Sequence, residues 1–305
     1  MREADAAMQG RIQAARALED ARNAIRSDQT RLLEGFETIK SNVAAIPTIV
    51  IDRRIVNWLK STDPSTNHES ARQKHEPTTG NWLIQSDTFH KWENSTSMSL
   101  WINGIPGAGK TVLCSTIIEH VKGLCLHSTD AQIAYFYFDF NDPQKQTIAG
   151  MLRSMIVQLC VGKAQLPTQV HELYNQCNNG NQQPTLQGLI NTLFSLLANS
   201  QRTYVIIDAL DECSERKQLM TVINQIIKNS SLRVNLLATS RKEQDILEGL
   251  QGVIDIQINL EGDGIDADID LHIRKCLESD QRLKKWNSLI KQEILEVLVA
   301  GAHGM

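Results

Sequence analysis

The segment GIPGAGKT, Gly104 to Thr111, sets three glycines, a lysine and a threonine in the order GxxxxGK[ST]. That order suits a grip on a polyphosphate. Glycine lacks Cβ, so the backbone turns tightly and its N–H groups come close to phosphate oxygens. A helix starting near Lys110 aims its free N–H groups and positive dipole end at the same anion. Lys110 then reaches the β and γ phosphates, and the Thr111 hydroxyl is placed to ligate Mg²⁺. The residues expected to line the nucleotide are Gly104, Pro106, Gly107, Ala108, Gly109, Lys110, Thr111 and Val112. The plainer alternative is a glycine-rich turn before an ordinary helix. Against it stand the apolar run before the motif and the amphipathic pattern Val112, Leu113, Ile117, Ile118, Val121 after it.

A phosphate loop needs a second carboxylate, at the end of a neighbouring strand, to hold the metal's water shell. YVIIDALDEC, Tyr204 to Cys213, offers one. Four hydrophobes read as a buried strand ending in Asp208, and Asp211 and Glu212 lie where a carboxylate orients or deprotonates an attacking water. Without the loop upstream, the same residues would read as a strand end before an acidic helix N-terminus. The run VNLLATS ends in Thr239, Ser240 and Arg241. Arg241 is either a γ-phosphate sensor or a surface arginine following a strand.

These groups require a sheet that brings several strand ends to one edge. Short apolar runs at Leu100–Asn103, Ile133–Phe140, Tyr204–Asp208, Val234–Thr239 and Val253–Ile258 alternate with helical patterns near 110–122, 147–160, 185–198, 216–228, 266–278 and 286–300. Such alternation predicts an α/β fold, a parallel sheet covered by helices. Ahead of it, Leu18, Ile25, Leu32 and Ile39 recur every seven residues, with Phe36 and Val43 in the adjacent row, on a charged helix. That helix either packs on its own domain or meets an effector. Ser61 to Asn81 is polar, carries two prolines and reads as a linker or surface loop. Trp82, Phe89 and Trp92 either pack their segment on the sheet or border a nucleotide base. The expected divisions are 1–54 (helical segment), 55–97 (linker and pre-core), 98–262 (nucleotide-binding core) and 263–305 (helical extension).

The formal net charge is −4, from 35 acidic and 31 basic residues among 305. That argues against a protein built to neutralise nucleic-acid phosphates. No apolar window reaches the length of a transmembrane helix, and no signal-peptide core opens the chain. Six cysteines lack CxxC spacing, which predicts reduced thiols in the cytoplasm.

The segments GIPGAGKT, YVIIDALDE and LLATSR together resemble the NACHT domain of STAND-class signalling NTPases. DPSTNHESARQKHEPTTGNWLIQSDTFHKWEN, YFYFDFNDPQKQT and MLRSMIVQLC narrow the likeness to fungal NACHT proteins, which commonly carry ankyrin or WD repeats and act in nonself recognition and heterokaryon incompatibility. The likeness runs from about Ile55 to Met305. It implies a three-layer P-loop core of the additional-strand type, with the strands at Ile133 and Val234 beside those at Leu100 and Tyr204. It also implies Lys110 and Thr111 on phosphate and Mg²⁺, Asp208 on Mg²⁺, Asp211 or Glu212 on the hydrolytic water, and Arg241 as a sensor. Such proteins switch between an inactive diphosphate state and an oligomerising triphosphate state. Lys242 stands where the family often has proline. A winged-helix region and repeats are expected beyond Met305, so the chain reads as a piece of something longer.

Three functions compete: a slow ATP- or GTP-dependent switch, a P-loop motor or metabolic enzyme, and a scaffold that holds nucleotide without turnover. The absence of a substrate-binding insertion favours the switch over the enzyme, and Asp211 with Glu212 favours it over the scaffold. The choice between adenine and guanine is not readable, because the loop grips phosphates common to both.

Overall fold

The computed structural model describes residues 30–31, 34–35, 52–128, 130–163, 165–260 and 263–302. The chain divides into two compact units, Met1–Arg54 and Ile55–Met305. In the first, residues 30–31 and 34–35 are helical. The heptad positions Leu18, Ile25, Leu32 and Ile39, with Phe36 and Val43, lie outside the described residues.

In the second unit, helices α1 (Ser65–Gln73), α2 (Asn81–Ile84) and α3 (Asp87–Asn94) precede β1 (Met98–Asn103) and α4 (Lys110–Leu126). Then come β2 (Ala131–Tyr137), α5 (Ile148–Cys160), α6 (Thr168–Gln176), α7 (Leu186–Ala198), β3 (Arg202–Asp208) and α8 (Arg216–Lys228). The order closes with β4 (Val234–Ser240), α9 (Gln244–Leu250), β5 (Ile256–Asn259), α10 (Asp263–Ser279) and α11 (Ser288–Ala302). The five strands form one parallel sheet in the order β2-β3-β4-β1-β5.

The pattern of each strand follows from its place. β4, in the centre, is buried at all seven positions, and β3 is nearly so; helices cover both faces, so these runs are mostly apolar in their middles. The edge strand β5 alternates half-buried and exposed residues. Successive side chains face opposite layers. Trp101, Val205, Ile207, Leu236 and Ala238 join a core with α5, α7, α8 and α9, while Leu100, Ile102, Tyr204, Ile206 and Leu237 join one with α3 and α4. This is a three-layer α/β core of parallel strands, with β4 inserted between β1 and β3. Trp92 locks α3 onto the sheet: it is fully buried and its indole N–H donates to the Leu236 carbonyl at 3.0 Å. Truncating a core tryptophan of this kind to alanine costs about 3–5 kcal/mol.

Helix starts follow local chemistry. Thr147 and Thr185 accept the Gly150 and Gly188 N–H groups and cap α5 and α7, a contact worth about 1 kcal/mol. α4 differs: Gly109 stands at its N-cap with left-handed backbone and no capping side chain.

Four expectations change. Ser61–Asn81 is no linker, because α1 lies within it and packs on α4. Its anchors are polar: His68 Nδ1 meets the Tyr137 hydroxyl at 2.9 Å, His68 Nε2 meets Glu119 Oε1 at 2.8 Å, and Arg72 donates to Thr116. A helix held this way leaves no apolar stripe in the sequence. The run at Ile133–Phe140 leaves the sheet after Tyr137, because the Asp139 N–H turns back to the Lys145 carbonyl. Val253 and Ile254 close the turn after α9 and do not begin β5. Finally, α6 was not read from the sequence.

Candidate functional site

β1 ends at Asn103, and the Gly104 N–H bonds the Ser240 carbonyl at 3.3 Å, so the loop 104–109 leaves the sheet beside β4. A Cβ on Gly104 would sit 3.0 Å from Leu260 Cβ, a close approach that glycine accommodates without displacing Leu260. Gly107 and Gly109 have φ of +84° and +74°, and a Cβ on either meets no atom within 4 Å. Those two positions therefore border open space and need a conformation that L side chains resist. Ala108 is buried between them, while Pro106 is exposed. Past the loop, the first N–H groups of α4 have no capping side chain.

Lys110 curls back over this loop. Its ammonium donates to the Gly104 and Ile105 carbonyls, both at 2.8 Å. Burial lowers its proton affinity, Asp211 and Asp208 oppose that, and Arg241 adds to it. The residues expected at the phosphate end thus share one electrostatic neighbourhood.

Asp208 ends β3, which β4 separates from β1, as the additional-strand arrangement implies. The three strands finish at one edge, and there the Thr111 hydroxyl lies close enough to the Asp208 carboxylate to lower its proton affinity. The carboxylate is 2% exposed. Burial raises its proton affinity, and the Thr239 hydroxyl, bonded to Oδ1, and the nearby Thr111 hydroxyl oppose the rise. Cys114, fully buried in α4, lies near Asp208, and burial together with that carboxylate raises its thiol pKa.

Ala209 has a left-handed backbone, φ +59°, and opens a short three-ten turn, Leu210–Glu212. The turn sends its two carboxylates different ways. Asp211 is committed to one partner: Oδ1 accepts the Arg241 N–H at 2.9 Å, and Oδ2 pairs with Arg241 Nε at 3.2 Å. Glu212 Oε2 accepts the Phe140 N–H at 2.9 Å. Burial raises Glu212's proton affinity, the Phe140 N–H opposes this, and the charge of Asp211 reinforces it. Cys213 is buried, which pushes its thiol up to about 11 and makes it a poor nucleophile.

Beside the loop lies a cavity of about 660 Å³, bordered by Gly107, Gly109, Val112, Trp82, Leu260 and Ile269. Its size and mostly apolar wall suit a heterocycle-sized ligand. The three upstream aromatics divide: Trp82 faces this cavity, while Phe89 and Trp92 belong to the core. α10 forms part of the wall. Asp268 accepts the Gly80 N–H at 2.7 Å and the Trp82 indole N–H at 3.1 Å, and Lys275 pairs with Glu76 at 2.8 Å. Sequence reading missed Asp268, Lys275 and the Glu212–Phe140 contact, because each partner lies far away in the chain. Among the described residues, no group of three His, Cys, Asp or Glu could hold a metal ion, and no helix is long and apolar enough to cross a membrane.

Residues 78–241 match the family model described as Nephrocystin 3, N-terminal, which is more than half of the chain. The chain is 25% identical over 232 residues to the Vegetative incompatibility protein HET-E-1 of Podospora anserina. That match covers 73% of this chain and only 17% of the relative. Both agree with the resemblance to fungal NACHT proteins. Among solved structures, the ADPNP-ADP complexes of the Aeropyrum pernix ORC2 protein align with TM-score 0.43, 13% identity, 73% of this chain and 58% of that one. Cdc6p from Pyrobaculum aerophilum aligns with TM-score 0.43, 14% identity, 69% of this chain and 53% of that one.

Proposed function

The chain belongs to the nephrocystin 3 N-terminal family, and from that premise we propose that it binds ATP or GTP with Mg²⁺, hydrolyses it slowly and serves as a signalling switch. The observation that carries this reading is a buried Asp208 carboxylate, held by the Thr239 hydroxyl at the sheet edge where Lys110 and Thr111 lie, below a loop whose Gly107 and Gly109 border open space. An inert glycine turn would need neither a buried carboxylate at that edge nor a cavity beside it.

In this reading the N–H groups of Gly107, Gly109 and the first turn of α4 hold phosphate oxygens. Thr111 and Asp208 hold Mg²⁺, which when bound draws charge from the phosphates. The remaining ligands of such an ion would come from phosphate and water. Lys110 must leave two loop carbonyls to reach phosphate, so binding changes the loop. The cavity takes the base, and Trp82 borders it.

Glu212 is the better-suited general base. Its raised proton affinity favours proton capture, and the Phe140 N–H orients it. Asp211 acts differently: bonded through both oxygens to Arg241, it sets the start of the segment after β4. Arg241 is 45% exposed at its side chain, so its free guanidinium edge remains open to a γ-phosphate. Nucleotide shifts a conformational equilibrium only through unequal affinity for the two states. α10 supplies the route, because Asp268 and Lys275 tie the helix after the sheet to the cavity's other wall. Self-association on activation, a cytoplasmic site of action and a role in incompatibility, after the relative's name, belong to this same proposal.

The test is to identify the nucleotide that co-purifies, compete it with ATP and GTP, and measure phosphate release. A switch retains diphosphate and turns over slowly. Binding with no release indicates a scaffold, and strong stimulation by a polymer or second substrate indicates a motor. No heat from either purine triphosphate with Mg²⁺ ends the reading.

A further inference from the structure

Between the residues assigned to metal and to water lies a side chain with no role so far. Thr239, at the next-to-last position of β4, is 1% exposed. Its hydroxyl donates to Asp208 Oδ1 at 2.5 Å and accepts the Ala209 N–H at 3.0 Å. One hydroxyl thus serves two consecutive residues of the neighbouring strand. We propose that Thr239 is a positioning residue: it orients the Asp208 carboxylate toward Thr111 and holds the turn that carries Asp211 and Glu212. This rests on the nucleotide-and-Mg²⁺ reading above.

The stereochemistry requires such a device. A carboxylate on a short side chain swings about χ2 unless both oxygens are engaged. Thr239 takes Oδ1, which limits that swing and leaves Oδ2 to serve a metal. Ala209 carries the second burden. A left-handed conformation costs a non-glycine residue roughly 1–2 kcal/mol, and such strain persists only where surrounding contacts hold it. The bond from its N–H to Thr239 is such a contact. The Glu212 N–H then closes onto the Ala209 carbonyl at 2.9 Å, which carries the constraint forward to the proposed base. Because β4 is inserted between β1 and β3, its end meets both Asp208 and the backbone that leads to Asp211 and Glu212.

The chemistry is specific to a hydroxyl. Valine has the shape of threonine but neither donates nor accepts, so it would orphan a buried carboxylate oxygen and a buried N–H together. Serine keeps both functions and loses a methyl group. The experiment compares Thr239→Val, Thr239→Ser and wild type by Mg²⁺ titration of triphosphate turnover, nucleotide affinity in EDTA, and thermal melting. Removing a partner that orients a metal-side ligand typically costs 10- to 100-fold in metal affinity or activity. We expect the half-saturating Mg²⁺ for Thr239→Val to rise at least ten-fold, with affinity in EDTA within about three-fold of wild type and Thr239→Ser restored to near wild type. A purely structural role would lower the melting temperature and both affinities in parallel, and serine would restore none of the Mg²⁺ dependence separately.

Unchanged Mg²⁺ dependence in a folded Thr239→Val overturns the proposal and leaves the nucleotide reading intact. Wild type that binds no nucleotide overturns both. Should Thr239→Val not fold, Thr239→Ser decides against Thr239→Cys, whose thiol is a weak donor of similar size. Equal Mg²⁺ requirements in those two overturn the role, and a graded rise from serine to cysteine supports it.

Discussion

Replacing Lys110 with methionine keeps the aliphatic stem and deletes the ammonium. A unit charge pair at about 4 Å through an effective dielectric of about 20 is worth about 4 kcal/mol. The net effect is smaller, because Nζ already donates to the Gly104 and Ile105 carbonyls at 2.8 Å. Reaching a phosphate gives up those bonds, each contributing about 0.5–1 kcal/mol net beside solvent. About 2–3 kcal/mol remains, on the order of a 30- to 150-fold loss in triphosphate affinity. Isothermal titration with Mg-ATP and Mg-GTP would read it. Affinity for a nucleoside monophosphate should barely change, since the lysine serves the outer phosphates. Fold stability by urea titration should fall by less than about 1 kcal/mol, because the Ile105 carbonyl borders solvent and the bond to Gly104 is only half-buried. A triphosphate loss below about three-fold, or equal losses for monophosphate and triphosphate, would refute the reasoning.

Glu212→Gln should keep nucleotide affinity and slow phosphate release by about 10²- to 10⁴-fold, the range typical of a lost general base. Wild-type turnover should fall as the pH drops through the Glu212 pKa. Burial and Asp211 place that midpoint above the ordinary carboxylate value of about 4.3; a pH–rate profile with its acid limb at or below that value would oppose the assignment. Asp208 has a folded-state pKa above its unfolded one, so its contribution to stability is full below the unfolded value of about 3.9 and is lost as the pH rises through the folded value. Asp208→Asn should therefore raise the melting temperature of nucleotide-free protein at pH 7.5, with the gain shrinking toward acid pH. It should also abolish the extra stabilisation that Mg-nucleotide confers on wild type. A lower melting temperature at pH 7.5 would contradict this account of Asp208's burial.

What could be read from the residues in order was whatever depends on near neighbours. Burial on both sides makes β3 and β4 mostly apolar runs, so YVII and the residues around Leu236 and Leu237 stand out in the sequence. Left-handed turns favour glycine, so Gly107 and Gly109 mark the loop, and Lys110 and Thr111 follow at fixed spacing. Asp208 is legible because it ends a strand that periodicity alone detects.

The folded chain decided whatever depends on strand order. With β4 seated between β1 and β3, Thr239 meets Asp208 from 31 positions away and Arg241 meets Asp211 from 30. Asp268 reaches Gly80 across 188 positions. The single acidic cluster of the sequence thereby separates into a buried metal-side carboxylate, an ion-paired one, and one held by a loop N–H. α1 stayed hidden for a related reason: its buried face carries one small apolar residue, Ala71, and is secured by His68 and Arg72. A hydrogen bond between distant side chains leaves no period in the chain, because its geometry exists only once the sheet has brought the two strand ends together.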